Sequence, residues 1–424
     1  MADVVAVAEV RLWGRLVGAV AEDADRVVTF EYDPAFTRSG LEISPIHLPL
    51  SRPGPVTFPE LARVEAFDGL PGVLADSLPD RFGNAVIRRY FEGRGEPDKA
   101  LSPVQKLLYL GARGMGALEF RPAIRVRATK AEQEALDVAG LVAEARRLVE
   151  GRADVAVPHI MRIGASAGGA RPKAVILWNR TSNEVRSDFA QPRAGDEHWI
   201  IKFDGVGELG APDPEPQPFN RIEYAYSRMA RAAGLAVPET RLLEERRLAH
   251  FLTRRFDRAG TATTARLHMH TLGGMHHVDY NQPGLFSYEQ YLRTALRLDL
   301  GYPALEEAYR RAVFNVAACN QDDHVKNLAF LMDETGRWAL APAYDLTHAR
   351  GHGFTRSHQM SVGGKRGGIT REDLLRLGGE MGIKRDGAGV IAQVTGALRT
   401  WEAEARAAGV GARYAAHIAA DLTR

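Results

Sequence analysis

One short polar segment constrains this chain more than any other. It reads Asn320-Gln321-Asp322-Asp323-His324-Val325-Lys326-Asn327, and Pro342-Ala343-Tyr344-Asp345 follows after a short apolar strand. An Asp stands five residues before an Asn, and a second Asp lies beyond the strand. A carboxylate beside a hydroxyl can orient it and take its proton. A carboxamide and a carboxylate offer the oxygen ligands that magnesium prefers, with room left for bridging phosphates. The segment interrupts a helical pattern that begins at Ser287, so it reads as a loop on a helical lobe.

The chain has 424 residues, too many for one compact core, and two or three lobes are expected. Lys plus Arg number 55 against 53 Asp plus Glu, so a net charge of +2 makes no global case for nucleic-acid binding. The single cysteine, Cys319, excludes an internal disulfide framework and fits a reducing cytosol. It sits in the apolar run Val316-Ala317-Ala318-Cys319, which predicts a buried packing role. Met1-Ala2-Asp3-Val4 lacks the basic start of a secretory signal, and no apolar stretch reaches the length of a membrane span. The expectation is a soluble, cytoplasmic protein with no membrane contact.

Residues 4–32 read as short strands with turns at Gly14 and Gly18. Phe58–Phe67 and Asp80–Phe91 read as helices, the second capped by Asp80, in a small α/β unit ending near residue 127. A helix over 130–150 leads to strands at 174–178 and 199–203, with an extended proline-rich stretch at 212–218. Helix 222–233 stops at Gly234 and Pro238, and strand 250–256 follows. The last helices are expected at 371–377, 389–403 and 412–422.

The Gly-rich segment Ile163 to Lys173, with Gly164, Gly168 and Gly169, lets backbone approach phosphate oxygens before a strand begins. It is not a Walker A loop, because no lysine directly follows the last glycine. Lys202 lies in the apolar strand Trp199–Phe203, so it either snorkels or faces a buried anion, and Glu223 near the next helix start is its candidate partner. Alone, Asp322 reads equally as a helix-end cap and Asp345 as a turn residue. Together with Asn327, in this order, they have the spacing of a protein-kinase catalytic loop. Asp322 is preferred to Asp323 as the base, since only Asp322 stands five residues before Asn327. His324 and Lys326 either touch phosphates or brace the loop. His268, His270, His276 and His277 match no standard zinc spacing and are expected to line the groove from a loop.

These motifs resemble the HipA family of bacterial serine/threonine kinases, the toxin partners of HipB-type antitoxins, over nearly the whole chain. The resemblance implies an α/β (α+β) protein-kinase-like bilobal fold. A small N-terminal α/β domain would span 1–127, an ATP-binding lobe 128–285 and a helical catalytic lobe 286–424. It implies ATP and Mg²⁺ as cofactors, held by the loop Gly168, Gly169, Ala170, Arg171 and Lys173, by Lys202, and by His324, Lys326, Asn327, Tyr344 and Asp345. Asn327 and Asp345 would take the metal. Arg254 to Arg258 looks like the hinge that holds adenine, with Arg254 and Phe256 as its contacts and Arg254 where an acidic residue is common. Ser166 falls at the family's autophosphorylated serine, and a phosphate there would add roughly −1.5 to −2 charge and drive the loop from ATP. The implied partners are a protein substrate and a HipB-like antitoxin, with DNA reached only through the antitoxin. A small-molecule or lipid kinase, and a non-catalytic ATP-binding partner of an antitoxin, are the competing readings.

Overall fold

The computed structural model describes residues 4–52, 54–79, 83–85, 87–88, 101–123, 138–149, 171–188, 190–206, 218–245, 247–259, 265–383 and 387–422. Two antiparallel sheets and a helical lobe carry the fold. The first sheet takes its strands from β1 (Val4–Leu12), β2 (Arg15–Asp23), β3 (Val28–Tyr32), β4 (Val56–Thr57) and β5 (Leu118–Arg121), in the order β4-β3-β2-β1-β5. Trp13 and Gly14 join β1 to β2 with φ of 49° and 77°, the positive angles a tight hairpin needs to match strand twist. Val10 and Leu12 point inward two residues apart, and with Val17, Val20 and Phe30 they are fully buried. The helix expected over Phe58–Phe67 is only a 3₁₀ turn, Pro59–Leu61. Successive three-residue bonds, Val64 N to Leu61 O and Phe67 N to Val64 O, fold the chain back there instead.

The second sheet comprises β6 (Lys173–Asn179), β7 (Glu184–Ser187), β8 (Asp196–Lys202), β9 (Thr240–Glu245) and β10 (Leu248–Arg254), ordered β7-β6-β8-β10-β9. Ala174 to Trp178 are all buried, because helix Val138–Val149 adds Leu141, Val142 and Ala145 to the core over that sheet. Helix Phe219–Ala232 packs against β9 and β10 and gives Ile222, Tyr226 and Met229 to the core of the helical lobe. Asn220 Nδ2 donates to the carbonyls of Lys202 (3.0 Å) and Ala249 (3.2 Å), which pins this helix to the sheet.

A two-strand ladder, β11 (Arg258–Ala259) with β12 (Ala265–Arg266), leads into β13 (His268–Thr271). Strand β13 pairs with β14 (Ala329–Met332), which pairs with β15 (Trp338–Leu340). The rest of the lobe is helical: Tyr288–Arg297, Gly301–Ala317, Arg371–Glu380, Gly387–Leu398, Trp401–Ala407 and Ala412–Leu422. The single helix expected over 389–403 is two. Thr400 Oγ1 donates back to Ala397 O at 2.7 Å, and the break turns Trp401 into the core, edge-on to Tyr226. Among the described residues, no helix is long and apolar enough to cross a membrane.

The N-terminal domain is clasped to the helical lobe by the histidines expected to line the groove, which corrects that reading. They sit on β13 and the short helix after it; the rings of His268, His270 and His277 face the N-terminal domain, while His276 turns into the helical lobe, with Nε2 2.8 Å from Thr294 Oγ1. His268 Nε2 meets Ile43 O at 2.8 Å, and His270 Nδ1 meets Asp76 Oδ2 at 2.6 Å. His277 stacks on His47 with centroids 3.8 Å apart, and its Nε2 accepts from Gly72 N at 3.0 Å. The backbones touch here. A Cβ at Gly72 would fall 1.9 Å from Gly274 O, and one at Gly274 would fall 2.3 Å from Asp76 Oδ2, so both positions require glycine.

Burial pushes His268 and His276 down to about 4 and His277 to about 3, from an ordinary value near 6.5. The folded state keeps them neutral, whereas the unfolded chain protonates them below about pH 6.5. Their contribution is whole above that value and is lost as pH falls toward 4. The urea midpoint is therefore expected to drop between pH 7.5 and pH 5, and an unchanged midpoint would contradict it.

Candidate active site

Two connected cavities lie between the second sheet and the helical lobe, and both are lined by Lys173, Lys202, Glu223 and Asp345. The inner one holds about 820 Å³ of empty space, measured out to its open mouth, with apolar walls that include Ile200, Val237, Phe251, Phe256, Met269 and Leu346. The outer one holds about 1400 Å³ and is more polar than the inner, with Arg171, Asp322, Thr347, His348, Arg350 and His417 on its walls.

Lys202 ends β8, where its Cα pairs with Lys173 of β6 on one side and Phe251 of β10 on the other. Its Nζ donates to Glu223 Oε1 at 2.7 Å and is also ion-paired with Asp345 Oδ1. Burial alone would lower the lysine and raise both acids. The two carboxylates overcome that at Lys202 and hold it above its ordinary value, while the Lys202 charge holds Asp345 well below the usual carboxylate range. At Glu223 burial prevails over Lys202, and its carboxyl is raised. The group is a charged lysine on an ionised Asp345, with Glu223 as the weaker acid. Asp345 has a left-handed backbone, φ 53°, a strained state for a residue with a Cβ that persists only where its surroundings hold it. Tyr344 OH donates to Lys326 O at 2.7 Å, and Asn320 Nδ2 reaches Asp345 O at 3.4 Å.

The loop that carries Asp322 starts where helix Gly301–Ala317 ends. Cys319 turns left-handed there (φ 53°) and is half-buried, with Sγ 3.7 Å from Asp421 O. The two adjacent acids then part. Asp323 is buried and accepts from Tyr288 OH (2.7 Å), His358 Nδ1 (2.9 Å) and Gln359 N (2.7 Å), so it anchors the loop. The Asp322 side chain faces the outer cavity and is 41% exposed. Partial burial, then the charges of Asp345 and Asp323, push its carboxyl up to about 7. Asn327 Nδ2 donates to Asp322 O at 2.9 Å, which commits its nitrogen to the loop and leaves its oxygen for the cavity it lines. Lys326 lines the inner cavity, with Nζ 5.0 Å from the Tyr280 ring. His324 lines neither cavity. It sits behind Asp322, with Nε2 3.9 Å from Asp322 Oδ1 and its ring 5.3 Å from Tyr280, and burial pushes it down to about 4.

Arg254 and Phe256 line the inner cavity, and Phe256 stacks on Tyr344 at 5.5 Å. The residues between and after them do something the sequence did not suggest. Arg255 and Arg258 both bind the buried Asp257, which also accepts from Gly116 N at 2.7 Å, and Arg255 Nη2 donates to Gly114 O at 3.1 Å. This ionic knot ties the inner cavity's rim to the N-terminal domain. Arg171 lies over the Phe219 ring at 3.7 Å and lines the outer cavity. Ser166, Gly168, Gly169 and Ala170 lie outside the described residues. The outer wall of His348, Arg350 and His417 was also missed. His348 and Arg350 are oriented by Asp421, at 3.0 and 2.6 Å, and no local pattern announces a partner more than seventy residues away.

Two family models divide the chain: the HipA N-terminal domain matches residues 8–121 and the HipA-like C-terminal domain residues 165–422. The chain belongs to the HipA family. Its fold is similar to that of HipA from Shewanella oneidensis MR-1, solved with HipB and operator DNA. That match has a TM-score of 0.67 and 17% identity, and it covers 98% of this chain and 95% of that one. A protein of Haemophilus influenzae described as a putative kinase is 29% identical over 168 residues, 35% of this chain and 47% of that protein. The chain thus spans about half the length of that curated relative. As in HipA, the architecture is bilobal and kinase-like, with the candidate residues at the seam of the lobes.

Proposed function

We propose that this HipA-family protein is an ATP-dependent serine/threonine protein kinase. One observation carries the reading: Lys202, Glu223, Asp345, Asn327 and Asp322, from four separate chain segments, line two joined cavities of matching chemistry. The apolar inner cavity suits adenine, with Phe256 and Tyr344 on its wall. Lys202 and Lys173, side by side on the sheet, would meet the phosphates. Among the described residues, no group of three or more His, Cys, Asp or Glu is placed to hold a metal alone. The Asn327 oxygen and the Asp345 carboxylate suit magnesium, which keeps waters and phosphate oxygens as its other ligands. Bound there, it would neutralise charge on the transferring phosphoryl group.

In the outer cavity, Asp322 would orient the acceptor hydroxyl and take its proton as oxygen bonds to the γ-phosphorus and the bond to the ADP oxygen breaks. Most of the rate gain would come from position and charge. By its resemblance the chain would also phosphorylate itself at Ser166 and work beside a HipB-like antitoxin, as the Shewanella protein is found with HipB. The test is intact mass of the purified protein after Mg-ATP, with the site mapped. One added phosphate at Ser166 is expected. Retained ATP binding with no phosphate on the protein or on any protein substrate would refute the protein-kinase reading.

A further inference from the structure

The chain just after Asp345 has an unusual charge. Residues 346–371 hold Arg350, Arg356, Lys365, Arg366 and Arg371, three histidines, and no Asp or Glu. In a chain whose acids and bases otherwise nearly balance, this run is a local excess. It borders the place where an acceptor would enter, since Thr347, His348, Arg350 and Thr355 line the outer cavity with Asp322.

Not all of that charge is available. Lys365 Nζ is bound by both oxygens of Asp373, at 3.0 and 2.8 Å. Arg350 is held by Asp421 at 2.6 Å, yet Asp421 also serves His348, and the Arg350 side chain stays 36% exposed. Arg356, next to Thr355, is exposed and has no ion partner among the described residues. Phe354, 39% exposed, adds an apolar ring two residues before it, 6.4 Å from His324. Of the acids on the cavity wall, Glu223 and Asp345 are paired with Lys202, which leaves Asp322 facing the acceptor.

We propose that the outer cavity and its rim select an acidic protein segment, a Ser or Thr flanked by carboxylates, with Arg350 on the cavity wall and Arg356 beside it on the surface as the specificity residues. This rests on the kinase reading above. A polynucleotide would also find the rim attractive, but the chain's net charge of +2 gives it no wider footprint.

The test compares short synthetic peptides with one Ser flanked by Asp/Glu, by Ala, or by Lys, using wild type and Arg356→Glu. Wild type is expected to favour the acidic over the basic peptide by roughly tenfold in kcat/KM at low salt, the preference shrinking as salt rises. Arg356→Glu, on the surface and on neither cavity wall, should cut that preference by roughly threefold or more while the KM for ATP is unchanged. Equal or inverted preference with transfer intact overturns this inference and leaves the kinase reading standing. A short DNA duplex that displaces the peptides through Arg356 also overturns it, and assigns the rim to nucleic acid. Failure to bind ATP overturns the kinase reading and this inference with it.

Discussion

Asp322→Asn is expected to lower phosphoryl transfer by roughly 10²–10⁴ while ATP binding is kept, the usual worth of a positioned general base. The amide has the shape of the acid but cannot take the proton. The loop should survive, because Asn327 is tied to the carbonyl of residue 322 and not to its side chain. The neighbouring acid supplies the contrast. Asp323 is buried and accepts three hydrogen bonds, so Asp323→Asn puts an NH₂ against donors and should lower stability instead. Single-turnover transfer, calorimetric ATP titration and urea unfolding separate the two effects. If Asp322→Asn transfers at the wild-type rate, Asp322 is not the base.

Lys202→Met is expected to abolish transfer and also to destabilise the fold, by about 3 kcal/mol, the low end for removing one partner of a buried ion pair. The reason is electrostatic. Lys202 is the shared cation of Glu223 and Asp345, and its removal sets two carboxylates against each other without compensation. The loss stays at the low end because the Asp345 side chain keeps 25% of its surface exposed and Glu223, already raised, can take a proton. Adding Glu223→Gln to Lys202→Met should recover much of the stability and none of the activity. Measured together, the unfolding midpoints and the ATP-dependent phosphate incorporation decide it. A stable Lys202→Met protein that still transfers phosphate would remove Lys202 from the phosphate site.

Much of this was legible from local pattern. Strand periodicity and the stop at Gly234 and Pro238 are set by interactions within a few residues, which the sequence carries directly, whereas the cap expected at Asp80 lies outside the described residues. The preference for Asp322 over Asp323 came from spacing alone; in the structure Asp322 faces the outer cavity and Asp323 is buried. The misread elements share a cause. Phe58–Phe67 has helical composition but folds back in three-residue turns, and helix 389–403 breaks so that Trp401 can reach Tyr226. In both, tertiary packing outweighs a weak helical preference.

By itself, then, the sequence determined the order of the elements, the chemistry-bearing residue types and their spacing, and through these the family. Only the tertiary structure decided which charges meet: that Lys202 bridges Glu223 and Asp345, that Asp257 is buried between Arg255 and Arg258, that the histidines clasp the N-terminal domain, and that Asp421 aims Arg350 at the outer cavity. The physical reason is range. Periodicity and turns are local, whereas a buried charge is stabilised by whichever partner the fold brings within a few ångströms, and nothing near it in the sequence says which partner that is.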